Sequence, residues 1–236
     1  MKQIGIGVAV LTGIAALGAL FVLGGPIGVY SSTTRPAYNA PIPRGTGFDF
    51  YILALSWSPT YCQDSQAAKR DVTQCAGPRP FAFVVHGLWP QFEAGYPRAC
   101  QTPQRRPSPE LARTMLDIMP SERLVQHQWE KHGSCSGLSA PDYFSVVRSA
   151  AGSVIIPSNY ASAPDWRRVS AGNVEAAFIA ANPAILSDGV AVARRGNNLS
   201  EVRVCLTLDL EPRSCPEVDQ DGVSDQTRLA MPPSRR

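Results

Sequence analysis

The chain has little charge and very little histidine. Only 17% of its 236 residues are charged, and its basic runs are no longer than pairs, among them Arg105–Arg106, Arg167–Arg168 and Arg194–Arg195. A net charge of +3 attracts a polyanion only weakly, so charge alone does not identify a nucleic-acid binder. The arginine pairs read as solvated surface. Internal repeats are absent, which excludes solenoids and propellers. The length supports one sizeable core and is too short for two ordinary domains.

What is abundant narrows the class further. Twenty-one prolines and 19 glycines predict a loop-rich fold and argue against a helical bundle. Six cysteines behind a secretory N-terminus read as three disulfides made in an oxidising compartment. At that N-terminus Lys2 precedes Ile4–Val29, a stretch without charge. This is the layout of a signal peptide. The stretch also exceeds the roughly 20 apolar residues that span a bilayer, and no clear A-x-A site follows it. A cleaved signal and a retained membrane anchor through residues 4–29 both stand, and both export the rest of the chain. The layout is then 1–30 leader or anchor, 31–47 linker, 48–215 globular domain and 216–236 flexible tail.

Phe48–Trp57 is aromatic and partly alternating, which predicts a strand. Cys62–Pro80 reads as loop, Phe81–His86 as a short apolar strand, and Pro90–Pro107 as loop again. Ser108-Pro109-Glu110 is an N-cap, an N1 proline and a first-turn acid, so a helix is expected to about Met119. Ser121-Glu122 starts a second helix that Gly133 can end. Ser139-Ala140-Pro141-Asp142 starts a third, through about Ala151, and 173–181 form a fourth. Val190–Arg194 and Glu201–Leu208 form a closing strand pair.

The three histidines fall in two strings. One is His86-Gly87-Leu88-Trp89-Pro90. The other is His127-Gln128-Trp129-Glu130-Lys131-His132-Gly133-Ser134-Cys135. On a helix, His127 shares a face with Lys131, and Gln128 with His132. Two imidazoles that titrate near neutrality can serve as base and acid in one reaction. An ammonium beside them can stabilise charge on phosphoryl oxygens. RNA supplies its own nucleophile, the 2′-OH, so this set needs no metal. Each residue alone has a plainer reading: a buried core histidine for His86, a solvated chain for Lys131, a core indole for Trp89. Zinc is disfavoured because His127 and His132 are five apart, not four as in H-E-x-x-H.

Together the strings resemble the two active-site segments of the ribonuclease T2 family, His-Gly-Leu-Trp-Pro and His-Glu-Trp-x-Lys-His-Gly-Thr-Cys. Trp57-Ser58-Pro59-Thr60-Tyr61-Cys62 resembles the family's region before the first segment, and the resemblance covers roughly Phe48–Cys215. It implies an α+β fold, a single domain with a central antiparallel sheet flanked by helices. It implies disulfides Cys62–Cys75, Cys100–Cys135 and Cys205–Cys215. The implied activity is a monomeric, exported endoribonuclease that needs neither metal nor cofactor and cleaves single-stranded RNA through 2′,3′-cyclic phosphates.

By the same resemblance His86 and His132 are the acid/base pair, with His132 assigned to the 2′-OH and His86 to the 5′-oxygen. His127 holds the phosphate, and Lys131 stabilises the transition state. Trp89 stacks on a base. Gln91 stands where some members carry an Asp that reads the base, so weak base preference is expected. Gln128 departs from the usual Glu. As a donor to a phosphoryl oxygen it is compatible with catalysis, with a shifted pH optimum. Two rival classes remain: a T2-like protein that binds RNA without cleaving it, and an exported zinc hydrolase.

Overall fold

A computed structural model describes residues 41–234. The leader or anchor and the first part of the linker lie outside the described residues. Six strands are described: β1 Phe50–Trp57, β2 Phe83–Gln91, β3 Arg167–Ser170, β4 Val190–Arg195, β5 Asn198–Leu206 and β6 Arg228–Met231. Eight helices accompany them: α1 Ser58–Tyr61, α2 Ser65–Arg70, α3 Val72–Ala76, α4 Pro109–Thr114, α5 Glu122–Lys131, α6 Ala140–Ser153, α7 Ala171–Ala181 and α8 Pro216–Gln220. The sheet runs β2-β1-β5-β6-β3, and β4 also pairs with β5. All pairings are antiparallel except a single parallel bridge between Asn198 and Ala230. The fold is therefore α+β.

β1 is buried on both faces, which is why it reads as an almost unbroken apolar run. Tyr51, Leu53, Leu55 and Trp57 point into the main core, where Tyr143 and Phe144 of α6 and Phe178 of α7 meet them. Phe50 and Ile52 point the other way, onto Cys205, Cys215 and Val218. Each large side chain that is fully buried stabilises by about 1.5–3 kcal/mol. Four longer helices start on a serine whose hydroxyl accepts an amide hydrogen: Ser108 from Leu111, Ser121 from Leu124, Ser139 from Asp142 and Ser170 from Asn173. Each such cap contributes about 1 kcal/mol.

Several expectations need correction. Residues 62–80 are not plain loop; they hold α2 and α3, with Asp64 capping α2. The strand expected to stop at His86 continues to Gln91. Gly87 and Pro90 look like breakers, but β2 is an edge strand, where proline costs no ladder bond. The helix from Pro109 ends at Thr114. α5 stops at Lys131, with His132 in a non-helical conformation (φ −131°, ψ −50°). His132 and Gln128 therefore do not share a helix face. Gly133 is required by packing: a Cβ there would lie 2.6 Å from the Trp129 ring and 2.8 Å from Tyr143. The end of the linker is docked, with Thr46 N–H donating to Ser136 and Arg44 paired to Asp209. Residues 216–234 do not form a flexible tail. They supply α8 and β6, and Leu229 and Met231 are fully buried.

Disulfides join Cys62 to Cys75, Cys100 to Cys135 and Cys205 to Cys215. The second ties the loop after β2 to the turn after α5. It is reinforced by the Ala99 amide donating to the Lys131 carbonyl at 3.0 Å. None of the described helices is long and apolar enough to cross a membrane.

Candidate active site

A β-bulge sets the position of the first histidine. Ala54 pairs with Gly87 and Leu55 with Val85, so His86 is an extra residue on β2. Bulges re-aim side chains next to functional sites. Phe83 and Val85 face the main core before the bulge, and Leu88 faces it after. His86, Trp89 and Gln91 are thereby left on the opposite face. In an unbroken period-2 strand of this sequence Leu88 would face away from the core and Trp89 and Gln91 into it; the extra residue reverses that parity.

α5 and its C-terminal end bring the second string alongside. Trp89 lies between the two outer histidines: the His86 ring meets it edge-on at 5.3 Å, and His132 stacks on it at 5.2 Å and 23°. His127 and Lys131 share one helix face, as expected. A cleft of about 340 Å³ on one side includes His86, His127, Glu201, Asp71 and Arg123. A second, of about 410 Å³, includes Trp89, Gln91, His127, Lys131, His132 and Arg203. His127 lines both. A larger cleft of about 470 Å³ beside the Cys62–Cys75 bridge holds no histidine. Chemistry, not volume, marks the site.

Gln128 is not at the cleft surface. It is 1% exposed, and its Oε1 accepts the Trp89 indole N–H at 2.9 Å. Gly87 makes room for it, since a Cβ there would lie 1.9 Å from Oε1. Through Oε1 it orients the indole, a role the sequence reading did not include. Gln91 is also buried, and its amide donates to the Pro90 carbonyl at 2.8 Å. The same amide nitrogen lies 3.4 Å from the Trp89 carbonyl, so its donors face the strand's own backbone while its oxygen has no partner from these bonds.

Burial, followed by the charges of His86 and His127, lowers the His132 pKa from 6.5 to about 4. Its Nδ1 is buried without a hydrogen-bond partner among the described protein atoms. Protonation would put an N–H on both ring nitrogens, one of them unsatisfied. Burial also lowers His127, with help from Lys131 and His86. His132 is therefore neutral over the physiological range and able to accept a proton.

Two residues in contact with this set were not singled out in the sequence. Glu201 Oε1 lies 2.7 Å from His86 Nδ1, and its Oε2 accepts from Arg203 Nε at 2.8 Å. The Arg203 guanidinium sits over the Trp89 ring at 5.4 Å. The signal was present in EVRVCL: Val202 and Val204 face the core, so Glu201 and Arg203 must face away. Among the described residues no three His, Cys, Asp or Glu side chains are grouped to hold a metal ion.

A family model described as the Ribonuclease T2 family matches residues 48–215. A ribonuclease of Aeromonas hydrophila is 46% identical over 100 residues, covering 42% of this chain and 43% of the relative. A probable ribonuclease of Haemophilus influenzae is 37% identical over 121 residues, covering 47% and 44%. The chain thus spans less than half the length of these curated relatives. An RNase-related protein from Calystegia sepium superposes with a TM-score of 0.61 at 18% identity, over 80% of this chain and 100% of that one, which shows the shared fold.

Proposed function

The chain belongs to the ribonuclease T2 family, and from that footing we propose that it is a metal-independent endoribonuclease acting on single-stranded RNA. The observation that carries the reading is the arrangement of His86 and His132 on either side of Trp89. Neutral His132 takes the 2′-OH proton as the 2′-oxygen attacks phosphorus. The P–O5′ bond breaks, and His86 gives its proton to the departing 5′-oxygen. A 2′,3′-cyclic phosphate results. Water then opens the ring to a 3′-phosphate, with the two histidines exchanging roles. Lys131 and His127, which line the Trp89 cleft, hold the phosphate and stabilise its developing charge. Trp89 stacks on a base, an interaction worth about 1–3 kcal/mol and tolerant of base identity. The tethered amide of Gln91 supports weak base preference. The protein acts as an exported monomer, periplasmic or extracellular, with residues 4–29 as its leader or anchor; the three disulfides support export.

The test is RNA cleavage in EDTA by purified wild type, His86→Ala and His132→Ala. Wild type is expected to cleave RNA and spare DNA. Each variant should lose about 10²- to 10⁴-fold in kcat. Activity that EDTA abolishes and zinc restores would rule the reading out.

A further inference from the structure

We propose that Glu201 is a positioning residue for His86: it holds the imidazole by Nδ1, leaves Nε2 as the proton-donating atom, and supplies the counter-charge to the imidazolium. The proposal rests on the ribonuclease reading above.

The topology brings the two residues together across 115 positions of sequence. β5 pairs with β1 so that Glu201 stands opposite Ser56, on the face to which the bulge turns His86. A fully solvated acid would have no reason to matter here, but the Glu201 side chain is only 8% exposed. A buried carboxylate persists only when paired and hydrogen-bonded. Both of its oxygens are engaged, Oε1 by His86 at 2.7 Å and by Ser56 Oγ at 3.4 Å, and Oε2 by Arg203 at 2.8 Å. Arg203 continues the chain to the face of Trp89. The base platform, a cation, a carboxylate and the acid are therefore linked by direct contacts.

The other charges around His86 do not duplicate this role. From α5 and its end it faces His127 and His132, both cationic when protonated. Arg123, Arg70 and Arg195 line the same cleft and are also cationic, and Tyr61 is a neutral phenol there. The remaining acid in that cleft, Asp71, is occupied by Ser121 at 2.6 Å, by Arg123 at 2.8 Å and by the Tyr61 hydroxyl. Glu201 is thus the carboxylate in hydrogen-bond contact with His86 among the described residues. A hydrogen-bonded carboxylate fixes which imidazole nitrogen carries the proton and steadies the charged ring.

The experiment compares wild type, Glu201→Gln and Glu201→Ala by kcat and KM on an RNA dinucleotide from pH 4 to 8. Melting temperatures and the ¹⁵N shifts of the His86 ring are measured alongside. Glu201→Gln keeps the volume and an acceptor but not the charge. It is expected to hold KM within about twofold and to lose about tenfold to hundredfold in kcat at pH 7, with a smaller loss at pH 5. Glu201→Ala is expected to move the neutral His86 ring from the Nδ1–H to the Nε2–H form. An unmoved tautomer, or a kcat loss that is absent or equal at every pH, overturns the proposal. A wild type that cleaves no RNA defeats the ribonuclease reading instead, and the tautomer measurement still decides the pairing.

Discussion

Trp89 shows how one side chain sets the properties of another. Its indole covers His132, is steadied by Gln128 and lies under Arg203. Burial is the largest cause of the low His132 pKa of about 4. In the proposed mechanism His132 works deprotonated, so the acid limb of kcat/KM for the free enzyme is expected near pH 4. Replacing Trp89 with alanine lets water reach His132. The limb should then move up toward the ordinary value of 6.5, and substrate binding should weaken by about 1–3 kcal/mol. A pH–rate profile of Trp89→Ala whose acid limb stays near pH 4 would show that burial under the indole is not the cause. His86, His127, Lys131 and His132 were legible because their strings are local. The role of Gln128 was not, because its partner is 39 residues away in the chain. Glu201 was missed for the same reason: only strand register brings it to His86.

Among the elements, starts were easier to read than ends. Serines 108, 121 and 139 announce their helices because an N-cap is a local hydrogen bond. The ends depend on packing: α5 stops where Gly133 must fit against Trp129 and Tyr143. The apolar run that announces a strand ends at His86, yet β2 continues through Gly87 and Pro90 to Gln91. The bulge itself is invisible without its partner β1. Gly87 is the most sensitive point of this strand, since a methyl there meets Gln128 Oε1 at 1.9 Å. Gly87→Ala is expected to cost about 1–3 kcal/mol and, by moving Gln128 and Trp89, to raise KM. A crystal structure of the variant with an unmoved Trp89 and an unchanged melting temperature would contradict this.

At the scale of the molecule, individual strands and helices and the six cysteines were readable from pattern and composition, while the sheet-and-helix architecture followed from the family resemblance. The C-terminal region was not readable. Its polar residues suggested a tail, yet Val218, Leu229 and Met231 are buried, and Val218 and Asp221 line the Trp89 cleft. A few apolar positions in a polar stretch, Val218, Val223 and the short run 229–231, carry too weak a periodicity to announce a helix and a strand. Ending the chain after Cys215 removes Val218, Leu229 and Met231. Losing each buried large side chain costs about 2–5 kcal/mol, and for a domain of this size 1 kcal/mol is about 2–4 °C. The truncated protein should therefore melt at least about 10 °C lower or fail to fold, as read by circular dichroism. An unchanged melting curve would restore the tail interpretation.

The two-histidine account depends on RNA bringing its own nucleophile to His132. The most direct measurement compares two dinucleotides, identical except that one lacks the 2′-OH beside the scissile phosphate, incubated with wild-type protein in EDTA. The account predicts that the ribose form is cleaved to a 2′,3′-cyclic phosphate and the 2′-deoxy form is untouched. Cleavage of both, or of neither, would contradict it.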